Sequence, residues 1–264
     1  MKLLNSLFVG VGMSLVVFSS CKKEEADWTF STDDAIADVA FQDVYTVIQE
    51  EAESNGSLRA CPNVSLDQTA AFPITATVDF GASCTAPNGR IRSGVLNAHF
   101  SGRWRDTGSK VTVTPNNFKV SDHKIEGKQI ITNNGTNGSG QPNYTVELQN
   151  GKVTTPDNET ILREGTQTYT WTQGYDTPNV SSDDVWEVTG SMNGTTRDGK
   201  TYTVTVITPV EKAVNCKWAS KGVLEITNTG TGSSYQLDFS EGGGGCDGLV
   251  KVTYGALNFN YTMM

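Results

Sequence analysis

From about residue 60 onward the chain repeats one local pattern, in which large apolar residues alternate with Thr, Glu or Gln. The runs YTVELQ (144–149), TYTWT (168–172), VWEVTG (185–190) and TYTVTVI (201–207) all carry it. A period of two places alternate side chains on opposite faces, so these are strands buried on one side and wetted on the other. Roughly a dozen strands are expected, with no further helical period among them. Asn150-Gly151 and Asp198-Gly199 lie between such runs and read as hairpin turns, because both pairs tolerate the positive φ of a tight turn. The longest breaks, 133–143, 175–184 and 240–248, are loops by composition. Strands consecutive in sequence usually pair. Residues 57–264 are therefore expected to form one mainly β domain, an antiparallel meander making a large curved sheet or an open barrel or sandwich. A transmembrane barrel is the weaker alternative. ALNFNYTMM alternates Leu257, Phe259 and Tyr261 as such barrels do, but the aromatic girdles are thin.

One segment departs from the pattern. Residues 32–56 read as an amphipathic helix, with Thr32 as its cap and Asp33 and Asp34 in a first turn that suits negative charge. Ile36, Ala40, Val44, Val47 and Ile48 form an apolar stripe, with Val39 and Ala52 at its edges. Asn55-Gly56 offers a left-handed stop. Such a helix must dock, and it is expected to close the apolar side of the sheet or one of its ends.

The first twenty residues, MKLLNSLFVGVGMSLVVFSS, are too short and too broken by Gly and Ser for a spanning helix, which needs about 20 apolar residues. They read as a secretory signal peptide, 1–20. Phe18-Ser19-Ser20-Cys21 resembles the lipobox of bacterial lipoproteins, which implies acylation of Cys21. Five cysteines leave one without a disulfide partner, and acylation accounts for it. Two or more acyl chains anchor stably where one binds marginally. Lys22, Lys23, Glu24 and Glu25 resemble the Lys-then-acid signal that Bacteroidota lipoproteins carry for export to the outer surface. Residues 21–31 are then a charged tether, and the expected location is the outer membrane, lipid-anchored and exposed at the surface. Acyl chains on Cys21 make the membrane one partner.

Without residues 1–20 the chain keeps 19 basic and 29 acidic residues, a net charge of −10. Ten acids fall between Glu24 and Glu53 with no Lys or Arg among them, whereas the remainder is close to balance. A chain of this charge gives no electrostatic reason to bind nucleic acid. The other four cysteines repeat an arrangement. Cys61 and Cys216 each open a candidate hairpin whose return strand ends in Asp-Phe (Asp79-Phe80, Asp238-Phe239), and Cys84 and Cys246 follow. The two ends of one hairpin lie side by side, so Cys61–Cys84 and Cys216–Cys246 are the expected bridges in an oxidising compartment. The blocks TVDFGASCTAPNGRIRSG, FSGRWRDTGS, CKWASKGVLEIT and CDG resemble those of uncharacterised Bacteroidota outer-membrane lipoproteins. That resemblance implies a β-rich, lipid-anchored domain and no particular reaction.

Little in the chain points to catalysis. His99 and His123 have no companion at ligand spacing, so no metal is expected, and no cofactor motif is present. GGGCDG (243–248) fits GxGxxG, but no helix follows it. Asp183 and Asp184 are the weakest defensible acid pair for a glycan hydrolase, which needs two carboxyls about 5–9 Å apart across a cleft. Trp104, Trp171, Trp186 and Trp218 would suit a carbohydrate-binding module if exposed, but their strand-like runs favour core packing; Trp28, on the tether, is the one expected to be exposed. The densest cationic stretch is RIRSGVLNAHFSGRWRD, with four of the chain's seven arginines. A bulge at Ser93-Gly94 would bring Arg90, Arg92, His99, Arg103 and Arg105 to one polar face. That face either pairs with acids, including those of the helix, or binds an anion, and pairing is the expectation. The chain thus reads as a non-catalytic lipoprotein that binds a glycan or protein ligand or serves structurally, with a glycan hydrolase or carbohydrate-binding module as the alternative.

Overall fold

The computed structural model describes residues 29–54, 61–69, 71–86, 89–177, 180–216 and 218–262. The signal peptide, Cys21, Lys22, Lys23, Glu24, Glu25, Trp28 and Asn55-Gly56 lie outside them. A helix, α1 (Thr29–Glu53), precedes fourteen strands. The first seven are β1 (Asn63–Leu66), β2 (Ile74–Asp79), β3 (Cys84–Thr85), β4 (Ile91–Phe100), β5 (Lys110–Val120), β6 (His123–Thr136) and β7 (Pro142–Thr154). The rest are β8 (Thr160–Gln173), β9 (Val185–Thr195), β10 (Thr201–Ala213), β11 (Lys221–Asn228), β12 (Ser234–Asp238), β13 (Leu249–Tyr254) and β14 (Leu257–Thr262). All belong to one antiparallel meander in which sequence neighbours pair, except that β3 pairs with β4 beside β2. The sheet is not closed into a barrel: β1 and β14 are its two edges. The mainly β fold and the curved meander are as the alternation requires.

Curvature comes from bulges. Every neighbouring pair from β4–β5 through β10–β11 carries at least one register shift. The bulge expected at Ser93-Gly94 is one of them, and Gly94 is required there: at φ 81° a Cβ would stand 2.2 Å from the Asn117 carbonyl oxygen. Asp198-Gly199 turns β9 into β10 as expected. Asn150-Gly151 does not make a hairpin. It lies within β7 as a bulge, Asn150 at φ 51°, because the alternating pattern continues through it to Thr154.

The helix differs more from expectation. It begins at Thr29, so Thr32 is not its cap and Asp33 and Asp34 are in its second turn. It spans about 37 Å at 1.5 Å per residue and packs against β6, β7, β8 and β11. It neither caps an end nor lies over the sheet with one face in water. Of its 25 residues only Thr32 is exposed. The sheet curls round it, and the apolar stripe of Ala40, Val44, Val47 and Ile48 is joined by buried Phe30, Ala37, Phe41 and Tyr45 on its other sides. Ile36, Val39 and Ala52 are half-buried at the stripe's margins.

Both expected disulfides are present, Cys61–Cys84 and Cys216–Cys246, with Cα separations of 6.0 and 5.2 Å. The repeated Asp-Phe has a physical basis. Asp79 and Asp238 end β2 and β12 by accepting the N–H two residues on, at 2.8 and 2.9 Å, while Phe80 and Phe239 turn into the core.

Candidate functional site

The acids of the helix meet the bases of the sheet in a ladder. Asp33 accepts from the Arg197 backbone N–H at 2.8 Å and from its guanidinium at 2.6 and 2.8 Å, which fixes the β9–β10 turn. Asp34 pairs with Arg163 of β8 and accepts from the Tyr202 hydroxyl at 3.3 Å. Asp38 pairs with Arg163 at 3.0 Å and with Lys212 of β10. These two acids and two bases neutralise one another. Burial pushes Asp34 up, and Arg163 only partly reverses this. Burial works the same way on Asp38, but Lys212 and Arg163 outweigh it and hold its carboxyl below the usual range. Further along, Asp43 receives a bidentate fork from Arg92 at 2.7 and 2.8 Å and a third bond from Arg90 at 3.0 Å. Near the end, Glu53 holds Arg105 at 2.7 and 2.8 Å.

The arginine-rich stretch is therefore not one exposed face. Arg92 points inward on the Leu96 and Ala98 side of β4 despite the bulge, because Asp43 lies there to receive it. Arg90 joins it. His99 faces outward beside Thr75, its Nδ1 3.3 Å from that hydroxyl. Arg105 bonds Glu53 and the Tyr175 carbonyl, with its guanidinium 5.1 Å from the centre of the Trp171 ring. Arg103 is exposed and makes no ion pair among the described residues. The five candidates do not converge on one anion.

Asp183 and Asp184 diverge. Asp183 is exposed and accepts from the Thr177 hydroxyl at 2.8 Å. Asp184 is not solvated as a turn residue would be. It is buried and accepts from Gln49 of the helix at 2.7 Å and from the Trp171 indole at 3.2 Å. Burial pushes its carboxyl up to about 7, against those two donors. Trp104, Trp171 and Trp186 are buried, Trp104 in the β4–β5 turn rather than a strand. Trp104 and Trp186 flank Tyr45 of the helix, with Trp171 stacked on Trp186 at 4.8 Å and Trp104 on Tyr144 at 4.9 Å. Trp218 is half-buried, in a loop rather than a strand. No group of metal-ligating side chains occurs among the described residues. His123 lies half-buried, its Nδ1 3.0 Å from the Ser121 carbonyl.

Two cavities are lined mainly by apolar side chains. One cavity of about 380 Å³ lies between the first half of the helix, the β5–β6 turn and β12–β14, lined by Ile36, Val39, Val120, Leu237, Val250 and Val252 with Arg90, His123, Trp218 and Tyr261. A second, of about 550 Å³, lies between the last turns of the helix, β1, β2, β4 and the β4–β5 turn. Both fall in the range of small-molecule pockets, about 300–1,000 Å³. Sequence reasoning missed them, and it missed Asp34, Asp38, Arg163, Arg197 and Lys212 as partners, whereas the expected pairing of the arginine stretch with acids of the helix is found at Asp43 and Glu53. The available signal was the position of these acids, on helix faces that also carry Ala37, Phe41 and Val44. No protein-family model, curated protein or solved structure matches the chain.

Proposed function

We propose that the chain is a lipid-anchored lipoprotein of the outer membrane, exposed at the cell surface, whose β domain binds a ligand and does not catalyse a reaction. The lipobox-like Phe18-Ser19-Ser20-Cys21 and the Lys22-Lys23-Glu24-Glu25 run support the anchor and its address. The binding role rests on one observation: two cavities of small-molecule size are lined mainly by apolar side chains, while Asp184 and Asp38 are engaged in contacts within the fold. A hydrolytic pair would have to share a cleft, and Asp184 faces the helix while Asp183 faces solvent. A carbohydrate platform would need exposed rings, and three of the four β-domain tryptophans are core residues.

Metabolic labelling with a palmitate analogue tests the anchor. The parent chain should label and Cys21→Ser should not; a labelled, membrane-bound Cys21→Ser chain would sink the reading. Changing Lys23, Glu24 and Glu25 to Ala should preserve labelling and reduce protease accessibility on whole cells.

A further inference from the structure

The larger cavity has an unusual wall. All four residues of β1 are exposed, yet Val64 and Leu66 line the cavity together with Phe72 from the β1–β2 turn. These three are 39, 48 and 40 % exposed, so solvent reaches their apolar surfaces. Beside them in the sheet are Ala76 and Val78 of β2; Ala98 and Phe100 of β4 and Ile48 and Ala52 of the helix extend the apolar lining. A strand with this composition would ordinarily collapse onto the core to bury its side chains, at about 25 cal/mol per Å² of apolar surface. Here it is held in place by pairing with β2 and by the Cys61–Cys84 bridge, and the space beneath it stays open. The remaining lining residues include Glu51, Glu53, Arg103, Arg105 and Trp104, whose buried indole N–H has no hydrogen-bond partner. Arg105 neutralises Glu53, whereas Arg103 carries a guanidinium with no ion pair among the described residues.

We propose that this cavity binds a single long-chain carboxylate, its hydrocarbon tail between β1 and the helix and its carboxylate on Arg103. The proposal gives a ligand to the binding role above and rests on it. A sugar suits the site poorly, because most of its lining is aliphatic or aromatic and would leave most of the hydroxyls unpaired. At about 550 Å³ the cavity lies within the range of about 300–1,000 Å³ typical of sites for one small ligand.

The test uses the exported full chain carrying Cys21→Ser, so that no acyl chain of its own can occupy the site. Palmitate, hexadecanol and phosphatidylglycerol vesicles are titrated calorimetrically without detergent. Palmitate should bind one to one and hexadecanol more weakly, by about fivefold if Arg103 contributes as an exposed ion pair does. Vesicles should give no heat. Arg103→Gln should bring palmitate down to the hexadecanol level and leave hexadecanol unchanged. Ala52→Phe, which fills the cavity, should weaken both ligands. Leu66→Ser should do the same, and its exposed position keeps the test valid if Ala52→Phe fails to fold. The proposal is overturned by a folded chain that binds no palmitate, or by vesicles binding where palmitate does not. Equal palmitate affinity in Leu66→Ser would also overturn it. None of these outcomes depends on whether the parent chain is acylated at Cys21, which labelling decides separately.

Discussion

The two ends of the helix use the same chemistry in different surroundings. At the N-terminal end Arg163, its side chain 2 % exposed, is shared by Asp34 and Asp38 in a core closed by Tyr202 and Lys212. At the C-terminal end Arg105, 45 % exposed, gives a bidentate contact to the single carboxylate of Glu53 beside an open cavity. One arginine bridges two carboxylates and the other grips one, but the larger difference is burial. An ion pair in water exchanges hydration for a partner at little net gain, whereas one sealed in the core cannot lose a member without stranding the other. The buried end fixes the position of the helix within the sheet, and the open end leaves room for a ligand.

The largest expected effect tests that difference at its buried end. Arg163→Ala leaves Asp34 and Asp38 with Lys212 as the one remaining cation in the network and should cost about 3–5 kcal/mol. Urea unfolding at neutral pH measures it. A loss no greater than that of Arg105→Ala would mean that burial is not what separates the two ends.

How much of this was legible follows from the range of each interaction. The strands, the Asp198-Gly199 turn and both disulfides depend on residues close in sequence, and local pattern reveals them. The Ser93-Gly94 bulge was legible from a glycine within a strand, though it does not turn Arg92 to the polar face as expected. Arg92 was not, since its inward turn depends on Asp43, 49 positions away. Asp34 and Arg163 are 129 apart, and Asp33 and Arg197 are 164 apart. From sequence, acids near a helix start read as dipole partners; only the tertiary fold brings an arginine to each and surrounds the helix. Asn150-Gly151 shows the opposite failure: a strong local turn signal was absorbed into a long strand as a bulge.

Asp184 lies between the extremes, since it is buried but neutralised by a proton in place of a base. Burial lifts its carboxyl to about 7 in the folded chain, while the unfolded value is about 3.9. The folded state therefore holds this proton more tightly. Its contribution is fully present below about pH 4, declines as pH rises, and is gone above about pH 7. Asp184→Asn keeps an acceptor for Gln49 or Trp171 and removes the titration. Melting temperatures of parent and variant from pH 4 to 9 should diverge in favour of the variant up to about pH 7 and then run parallel. The rise from about 3.9 to about 7 corresponds to about 4 kcal/mol, comparable with the loss expected for Arg163→Ala. Parallel curves throughout would show that Asp184 ionises normally.

The smallest effect belongs to the open end, where two neighbouring arginines should behave differently. Arg105→Ala removes an exposed ion pair, worth about 0–1 kcal/mol, and a contact with the Trp171 ring worth about 0.5–1 kcal/mol. A loss of about 1 kcal/mol is expected. The ionic part should fade in 1 M salt, where the screening length falls to about 3 Å, while the ring contact persists. Arg103→Ala removes a side chain with no ion pair among the described residues and should lie within about 0.5 kcal/mol of the parent at any salt concentration. Thermal melts of both variants at low and high salt measure the contrast. If Arg103→Ala is the more destabilising of the two, its guanidinium has a structural partner and is not free to receive a ligand. A null result at Arg103 beside a salt-dependent loss at Arg105 separates the arginine that closes the rim from the one held open on it.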